Sequence, residues 1–327
     1  MNGLPWRDPR ATWPLVMSFV FVCLEATAQP YPNKPIRWIV PFSTGSGSDT
    51  AARLLAPRLS QFLGQPVVID NRVGAGGVIG TDLAAKAAPD GHTLLWGGVA
   101  PLTINVTLQK VSYDPIKDFI PITRIAIAPL VLVAHPSLGV KSLRELLAAA
   151  KEHPDRFSYA SPGNGTTSQL SMEWIKSRAG VSITHVPYKG TGPGVADLLA
   201  GHVHVMFDSI AAVGPHIRSG KLVALAVTGA DRDRVLPDIP TVAESGFPGF
   251  RTEAWFGVLA PNSTPQHAIL RLNQAFKDIL ENEKIREEFS QLGLNVSPTT
   301  PDQFSSFIQT EILKWKKIIE DSRTKLD

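Results

Sequence analysis

Two segments of the chain combine glycine-rich backbone with hydroxyl side chains, a pattern typical of anion-binding loops. Residues 41–49 read PFSTGSGSD and residues 161–167 read SPGNGTT. In both, glycines allow backbone amides to converge and hydroxyls add donors, directly before a helical pattern whose N-terminus favours negative charge. The two segments predict a site for a small anion clamped between two lobes, with two ordinary polar loops as the alternative. Asp49 is interpreted as a helix N-cap, with ligand contact as its alternative role.

Other glycine and histidine patterns do not complete a catalytic or cofactor site. Residues 74–80 read GAGGVIG, which has Ile79 where a dinucleotide fingerprint requires its third glycine. No lysine follows the glycines as in a phosphate-binding P-loop, and neither Gly-x-Ser-x-Gly nor His-Glu-x-x-His occurs. His202 and His204 share a face of a predicted strand but lack a third ligand at a suitable spacing. We therefore expect no catalytic residue, no metal and no cofactor.

The elements that would position these loops alternate between short β-branched runs and helical patterns. This spacing predicts βαβ units on parallel sheets, in two successive α/β groups. The predicted strands span 36–40, 67–70, 92–96, 130–134, 157–160, 184–186 and 203–207. The predicted helices span 49–63, 80–87, 142–152, 166–179 and 194–200. Both candidate anion loops thus follow a strand and precede a helix.

A separate signal marks a C-terminal helix. Residues 300–303 read TPDQ, which predicts Thr300 as the N-cap, proline at the first helical position and Gln303 as the partner in a capping box. Six residues that follow at helical spacing are interpreted as core: Phe304, Phe307, Ile308, Ile312, Trp315 and Ile319.

Length and charge limit the classes of protein that fit. The 327 residues are 43% hydrophobic, enough to bury a sizeable core, and a length of roughly 150 residues per domain suggests two domains. Lys and Arg total 32 against 29 Asp and Glu, a net charge of +3 that is scattered along the chain. Because no basic stripe is present, nucleic acid is not an expected partner.

The N-terminus has the pattern of a secretory signal peptide. Arg7 and Arg10 precede an apolar stretch at 13–24, which at about 12 residues is too short to span a bilayer. Residues 26–28 read ATA, a small-x-small cleavage pattern. We expect residues 1–28 to be removed by cleavage near Ala28 and Gln29, with an uncleaved membrane anchor as the alternative.

Cys23 is the only cysteine in the sequence, and it lies in the segment expected to be removed. The mature chain would then contain no disulfide and would depend on its core for stability. Phe21 and Val22 stand before Cys23, where a lipoprotein signal needs a small residue. Lipid attachment is therefore not expected.

Motifs along the mature chain resemble those of a known family. Segments of the N-terminal half read PFSTGSGSD, NRVGAGG, APDGHTLL and YDPIKDF, and segments of the C-terminal half read SPGNGT, VPYKG, LPDIPT and ESG. In this order, and over nearly the whole mature chain, they resemble the Bug-type (Bordetella uptake gene) periplasmic solute-binding receptors of tripartite tricarboxylate transporters.

The resemblance implies an α/β, type II periplasmic-binding-protein fold, in which two discontinuous domains joined by a hinge enclose a carboxylate. It places domain 1 at 29–128 plus 252–327 and domain 2 at 129–251, with the crossings near 127–131 and 250–255. It also implies a periplasmic receptor that delivers its ligand to the membrane permease subunits of a tripartite tricarboxylate transporter. We expect this receptor to be a monomer.

In this family the ligand carboxylate is held by loop amides, hydroxyls and ordered water rather than by an arginine. Carried over position by position, the expected cleft residues of domain 1 are Phe42, Ser43, Thr44, Gly98 and Val99. Those of domain 2 are Ser161, Gly163, Gly165, Thr166, Thr167, Tyr188 and Asp208. Tyr188 would wall the pocket. Asp208 matches the position that receives an ammonium in family members that bind amino acids, and capping of the next helix is its alternative role.

One segment departs from the family pattern. Residues 99–106 read VAPLTINV, with Leu102 where the family commonly has histidine. An apolar wall at this position favours a ligand with an apolar or aromatic portion. A terephthalate- or nicotinate-like monocarboxylate is then as compatible with the sequence as citrate.

Two other functions stay open at the level of sequence. The same ligand-bound closed state can be read by a sensor partner instead of a permease. A two-lobed transferase of the porphobilinogen-deaminase kind shares the architecture, but its covalent cofactor needs a cysteine that the mature chain lacks. Solute binding for transport is therefore the prediction, and no enzymatic activity is expected.

Overall fold

The computed structural model describes Gly3 and residues 31–322. The predicted signal peptide, its cleavage point and Cys23 lie outside the described residues. Between residues 31 and 322, no helix combines the length and the apolar character needed to cross a membrane.

Strands and helices alternate along residues 31–322, as the sequence patterns predict. The strands are β1 (Ile36–Val40), β2 (Val67–Asn71), β3 (Thr93–Gly98), β4 (Phe119–Ala128), β5 (Leu130–Ala134), β6 (Ser158–Ser161), β7 (Thr184–Pro187), β8 (Val205–Ser209), β9 (Val223–Val227), β10 (Ala254–Pro261) and β11 (Asn295–Val296). The α-helices are α1 (Gly47–Leu63), α2 (Val78–Ala85), α3 (Asn105–Leu108), α4 (Leu143–Glu152), α5 (Thr167–Ala179), α6 (Thr191–Leu199), α7 (Ile210–Arg218), α8 (Gln266–Glu281), α9 (Glu283–Gln291) and α10 (Pro301–Ser322). A π-helical turn, Ala100–Ile104, lies between β3 and α3.

The strands form two sheets, which we call lobe 1 and lobe 2 together with their covering helices. The sheet of lobe 1 has the order β11-β4-β10-β3-β1-β2, and the sheet of lobe 2 has the order β7-β6-β8-β5-β9. β1 is parallel to β2 and β3, and β6 is parallel to β7 and β8. The predicted parallel βαβ units are confirmed for β1 to β3 and for β6 to β8. The prediction that the sheets are parallel throughout was wrong, because β5 is antiparallel to β8 and β9, and β10 is antiparallel to β3 and β4.

Each sheet is covered by the apolar faces of its helices. In lobe 2, one face packs against α4 and α5, and the other packs against α6 and α7. In lobe 1, the predicted core residues of α10 share a core with Trp255 of β10, and Leu170 of α5 reaches the same core. α10 therefore packs against both lobes and holds α5 in place.

The chain passes between the lobes twice, at neighbouring positions. β4 ends at Ala128 and β5 begins at Leu130, while Ala254 at the start of β10 pairs with Ala128. Thr228 links the two crossings. Its amide donates to the Leu130 carbonyl (2.9 Å), its hydroxyl accepts from the Leu130 amide (2.8 Å), and its carbonyl accepts from the Thr252 amide (3.3 Å).

The direction of the strands determines which sheet edges meet at the crossings. β10 is antiparallel to both β3 and β4, so β4 leaves lobe 1 at the edge where β1 and β3 end. Leu130 pairs with Ser209, so β5 begins at the edge of lobe 2 where β6, β7 and β8 end. The loops after β1 and β6 therefore lie at the two edges that flank the crossings, where open α/β sheets bind ligands.

The capping box predicted at the start of α10 is confirmed. Thr300 Oγ1 accepts from the Gln303 amide (3.2 Å), and Gln303 Oε1 accepts from the Thr300 amide (3.0 Å). We predict that Thr300→Ala lowers the free energy of unfolding by about 1 kcal/mol, measured by urea denaturation. Ligand affinity should be retained because this cap contacts neither cleft loop. An affinity loss as large as that of a loop variant would contradict the site described below.

Candidate ligand-binding cleft

The loop of lobe 1, residues 41–46, joins β1 to α1. Ser46 caps α1, since its hydroxyl accepts from the Asp49 amide (3.2 Å). The interpretation of Asp49 as the N-cap was therefore wrong, because Asp49 lies inside the first turn. Its carboxylate instead accepts from the amide of Gly45, the residue before the cap (2.8 Å). Gly45 has φ +80°, a conformation that favours glycine.

The buried Asp49 carboxylate fixes the conformation of this loop by hydrogen bonds. It is 2% exposed and also accepts from Arg53 Nε (2.9 Å) and Asn71 Nδ2 (2.9 Å). Asn71 Nδ2 donates in addition to the Phe42 carbonyl (3.0 Å), and Thr44 Oγ1 donates to Asn71 Oδ1 (3.2 Å). Burial alone would raise the pKa of Asp49, but the hydrogen bonds from Arg53, Gly45 and Asn71 hold that pKa below its usual value. The loop is thus fixed by an ionised side chain.

The five predicted cleft residues of lobe 1 differ in accessibility. Ser43 and Thr44 are exposed and Phe42 is half-buried, whereas Gly98 and Val99 are buried at the end of β3. Because β3 pairs with β1, all five lie at the same edge of the sheet. The hydroxyls of Ser43 and Thr44 are the side-chain donors that this group offers to a ligand.

Leu102 does not line the cleft. It is fully buried and belongs to the core of lobe 1, together with Leu95 and Leu259. The hypothesis that Leu102 forms an apolar pocket wall was wrong, so this residue gives no support for an aromatic ligand.

The loop of lobe 2 repeats the arrangement of lobe 1. Thr166 caps α5, and its hydroxyl accepts from the Gln169 amide (3.3 Å). Gln169 Oε1 accepts from the amide of Gly165, the residue before the cap (2.7 Å), as Asp49 does from Gly45. Gly165 has φ +72°. Residues 45–49 (GSGSD) and 165–169 (GTTSQ) thus form the same structure at corresponding edges, which we call the repeated loop.

A second set of hydrogen bonds ties the lobe 2 loop to β6. Ser161 Oγ accepts from the Gly163 amide (3.2 Å) and lies 3.1 Å from the Gly163 carbonyl, to which Thr166 Oγ1 also donates (2.8 Å). The amides of Gly163 and Gly165, both expected to hold a carboxylate, therefore have acceptors inside the loop in this structure. Binding through them requires an exchange of partners.

Gln169 and His185 hold this loop in place, and neither was among the site residues predicted from the sequence. Gln169 Nε2 lies 3.3 Å from His185 Nδ1, and His185 Nε2 lies 2.7 Å from Ser161 Oγ. The His185 ring stacks on Tyr159 with a centroid distance of 4.7 Å. The capping-box pattern of Thr166 and Gln169 is a signal that could have identified Gln169. No local pattern marks His185, which lies on the neighbouring strand β7.

Tyr188 and Thr167 border the same loop. The Tyr188 amide donates to the Ser161 carbonyl (2.9 Å), and its hydroxyl donates to Asp197 Oδ2 (2.7 Å). Burial and the bond to Asp197 raise the pKa of Tyr188 to about 12. Since the hydroxyl is engaged on α6, the ring is the part of Tyr188 that can wall a ligand. Thr167 is half-buried at the first position of α5.

Asp208 lies near the end of β8, next to β6. Its Oδ1 accepts from the Ser209 amide (2.6 Å), while Oδ2 is buried without a hydrogen-bond partner among residues 31–322. Ser209 caps α7 by accepting from the Ala212 amide (3.3 Å), so the alternative role of Asp208 as a helix cap was wrong. Burial raises the pKa of Asp208, and the hydrogen bond from the Ser209 amide counteracts this only in part. Oδ2 is thus an acceptor that is buried and unpaired in this arrangement of the lobes.

The burial of Asp208 predicts that Asp208→Asn stabilises the protein at neutral pH. A carboxyl whose pKa is raised by folding loses stability as pH rises from the unfolded pKa of about 3.9 through the folded value. The variant should therefore gain about 1 kcal/mol at pH 7, because it removes the cost of burying a charge while the amide oxygen can still accept from Ser209. The gain should shrink as pH falls towards 4. Urea denaturation at pH 7 and pH 4 measures this difference, with Asp238→Asn as the control at an exposed site. Equal stability of Asp208→Asn and wild type at pH 7 would contradict the prediction.

His202 and His204 do not come together as a metal site. His202 Nδ1 lies 3.3 Å from Asp197 Oδ1, whereas His204 Nδ1 accepts from the Ser158 amide (3.0 Å). Within the part of the chain that the structure describes, no group of three or more His, Cys, Asp or Glu side chains is arranged to hold a metal ion.

Comparison with known proteins identifies one family. The family model described as "Tripartite tricarboxylate transporter family receptor" matches residues 51–323. Protein BugT of Bordetella pertussis is 41% identical over 307 residues, which cover 93% of this chain and 94% of BugT.

Solved structures share the fold at similar identity. "R. palustris Rpa4515 with adipate" is 35% identical with a TM-score of 0.80, covering 89% of this chain and 98% of that chain. "MatC (Rpa3494) from Rhodopseudomonas palustris with bound malate" is 35% identical with a TM-score of 0.76, covering 88% of this chain and 100% of that chain. The expected α/β, two-lobed fold of the type II periplasmic-binding-protein class is confirmed.

Proposed function

The chain belongs to the tripartite tricarboxylate transporter receptor family, and we propose that it captures a small carboxylate between its lobes and delivers it to the membrane permease subunits of such a transporter. The observation that carries this proposal is the repeated loop. In each lobe it presents a glycine amide, a hydroxyl cap and an acceptor side chain at a helix N-terminus. Both copies lie at the sheet edges that flank the crossings. A ligand that is held by the loop of one lobe can therefore gain further contacts from the loop of the other lobe.

We propose an aliphatic dicarboxylate as the ligand class, since Rpa4515 and MatC are described with adipate and malate. One carboxylate would accept from the amides and hydroxyls of the lobe 2 loop, which are contributed by Ser161, Gly163, Gly165, Thr166 and Thr167. The other end would meet the exposed hydroxyls of Ser43 and Thr44, beside Phe42, Gly98 and Val99. Tyr188 would wall the ligand, and Asp208 Oδ2 would accept from a hydroxyl or ammonium group that the ligand carries.

Ligand binding would act through closure of the hinge. Contacts from both lobes form together only in the closed arrangement, so a ligand favours closure by its differential affinity for the two arrangements. The hydrogen bonds of Thr228 keep the two crossings side by side, which supports their movement as one hinge. The closed surface would be what the permease recognises.

We further propose the domain boundaries and the route of export. The strands of lobe 1 come from 36–128 and 254–296 and those of lobe 2 from 130–227. This distribution supports domain 1 at 29–128 plus 252–327 and domain 2 at 129–251. Residues 1–28 would direct export to the periplasm, where the receptor would act as a monomer.

A thermal-shift screen tests this function directly. The mature chain is unfolded and refolded to remove carried-over ligand, then heated with adipate, malate, citrate, acidic amino acids, terephthalate or nicotinate. A ligand at 100 times its Kd adds about 2.7 kcal/mol to the free energy of unfolding. Stabilisation by one carboxylate class, at concentrations where chloride and phosphate have no effect, would support the proposal and define the substrate. No shift with any carboxylate would overturn it.

A further inference from the structure

The two copies of the repeated loop differ in the side chain that accepts from the glycine amide. In lobe 1 it is Asp49, whose two carboxylate oxygens are both acceptors, so either one can face Gly45. In lobe 2 it is Gln169, whose amide carries one acceptor oxygen and one donor NH2 group. Rotation of this amide would present a donor to the Gly165 amide and break their hydrogen bond. Only the lobe 2 loop therefore depends on the orientation of a side chain.

His185 determines that orientation. With Gln169 Oε1 facing the Gly165 amide (2.7 Å), the NH2 group faces His185 Nδ1 (3.3 Å). Since an NH2 group donates, Nδ1 accepts and carries no hydrogen. The hydrogen of a neutral ring is then on Nε2, which donates to Ser161 Oγ (2.7 Å). The same Ser161 oxygen accepts from the Gly163 amide, so one neutral ring fixes the partners of both loop amides.

A second proton on His185 reverses this arrangement. With both ring nitrogens protonated, Nδ1 donates and cannot face the NH2 group of Gln169. The Gln169 amide then turns its oxygen towards Nδ1, and the Gly165 amide loses its acceptor. The released N–H is the group that the proposed carboxylate needs.

We propose that His185 is a positioning residue that couples carboxylate binding to the uptake of one proton. Neutral His185 keeps Gln169 on the Gly165 amide, and protonated His185 draws Gln169 away and leaves that amide to the ligand. This inference rests on the proposed function and adds that the receptor binds more tightly in acidic than in alkaline medium. The lobe 1 loop does not respond, because Asp49 accepts from Gly45 in either orientation.

Charged and titratable groups of β6 and α5 lie close to His185. Tyr159 stacks on the ring, and its hydroxyl donates to Glu173. Lys176 lies 2.7 Å from Glu173 and 5.2 Å from the centre of the Tyr159 ring. Burial and the charge of Glu173 raise the pKa of Tyr159, so its phenol stays neutral. Glu173 and Lys176 form an ion pair, so their opposite charges lie together beside the Tyr159 ring.

The first test follows the coupling by NMR without any ligand. The Gly163 and Gly165 amides and the His185 ring of the full mature chain are titrated between pH 5.5 and 8.5. The Gly165 amide resonance should move with the same midpoint as the His185 ring, whereas Gly180, at the other end of α5, should not. A Gly165 amide that does not follow His185 would overturn the proposal.

The second test measures binding of adipate and malate by calorimetry between pH 6 and 8. Linkage to one proton predicts that Kd rises by up to about tenfold per pH unit above the pKa of the ring. It also predicts a binding heat that varies with the ionisation enthalpy of the buffer, which reports proton uptake. His185→Asn, whose oxygen can accept from Gln169 without titrating, should flatten this profile and weaken binding at pH 6. His204→Asn, a histidine variant at the opposite edge of the lobe 2 sheet, should keep the wild-type profile.

A substitution of Gln169 separates positioning from a direct effect of charge. Gln169→Met removes the acceptor and leaves the Gly165 amide available at every pH, so binding should become independent of pH although His185 still titrates. A pH dependence retained in Gln169→Met, or a wild-type Kd that is constant from pH 6 to 8, would overturn the proposal. If no carboxylate binds at any pH, the proposed function fails, and the amide titration still decides whether His185 and Gln169 are coupled.

Discussion

Gly165→Pro is expected to weaken carboxylate binding by about a hundredfold. Proline removes the N–H of residue 165 and holds φ near −65°, whereas Gly165 has φ +72°. A hydrogen bond to a charged group contributes about 1.5–3 kcal/mol, which corresponds to about ten- to hundredfold in Kd. The altered backbone also moves the cap Thr166, so the full loss should lie at the upper end. Calorimetry with the carboxylate identified by the thermal-shift screen measures it.

Alanine variants at the two ends of α5 control for backbone strain. Gly165 precedes the helix and Gly180 ends it, and both have positive φ, +72° and +64°. Alanine in this conformation should cost about 1–2 kcal/mol of stability at either position. Gly165→Ala keeps its N–H and should lose less affinity than Gly165→Pro, while Gly180→Ala should lose none. Equal affinity losses at the two ends of the helix would contradict a ligand site at Gly165.

The sequence predicts strands β1 to β3 and β5 to β8 well, because each has a clear local pattern. The antiparallel direction of β5 was not predicted. β1 and β5 have the predicted bounds, and the remaining predicted strands differ by one or two residues at their ends. The long antiparallel pair β4 and β10 was not predicted as a pair. Its partners are distant in sequence and its register shifts between Phe256 and Gly257 and between Val258 and Leu259, so no alternating pattern marks it.

The repeated loop was predictable as an anion site but not in its hydrogen bonds. Ser46 and Asp49 are both favourable N-cap types, and the same holds for Asp208 and Ser209. In each case the residue type allowed two assignments, and the serine is the cap in the structure. The two aspartates that do not cap a helix have other roles. Asp49 is the buried centre of the lobe 1 loop, and Asp208 has a buried oxygen without a hydrogen-bond partner in the described structure.

His185 and Leu102 show where local sequence stops being informative. His185 reaches the lobe 2 loop because it pairs with Tyr159 across two parallel strands. This register is set by the sheet rather than by neighbouring residues. Leu102 lies in a π-helical turn that follows β3, and it is buried in the core of lobe 1. The position of Leu102 in the family pattern therefore did not predict whether its side chain faces the cleft.

Asp49→Asn is expected to destabilise the protein by about 2 kcal/mol and to weaken carboxylate binding at least tenfold. Asparagine cannot accept from Gly45, Arg53 and Asn71 together, so buried donors are left unsatisfied, at about 1–3 kcal/mol for such a group. The ion pair itself adds little, because the Arg53 side chain is 49% exposed and its charge is screened. Binding should weaken because Asn71 then no longer holds the Phe42 carbonyl, and the loop that carries Ser43 and Thr44 loses its fixed shape.

The pH dependence of this loss of stability shows whether Asp49 acts as an ionised carboxylate or as a neutral hydrogen-bonding group. Because folding lowers the pKa of Asp49, its contribution is complete above the unfolded pKa of about 3.9 and is lost as pH falls through the folded value. The difference in unfolding free energy between wild type and variant should therefore be constant from pH 5 to 8 and shrink below pH 4. Asp82→Asn is the matched control, since Asp82 also pairs with a residue four positions later, Lys86, but lies outside both loops of the candidate site. It should cost little stability and no affinity.

If Asp49→Asn bound carboxylates as tightly as Asp82→Asn, the lobe 1 loop would not be part of the ligand site, and a carboxylate would be held by lobe 2 alone.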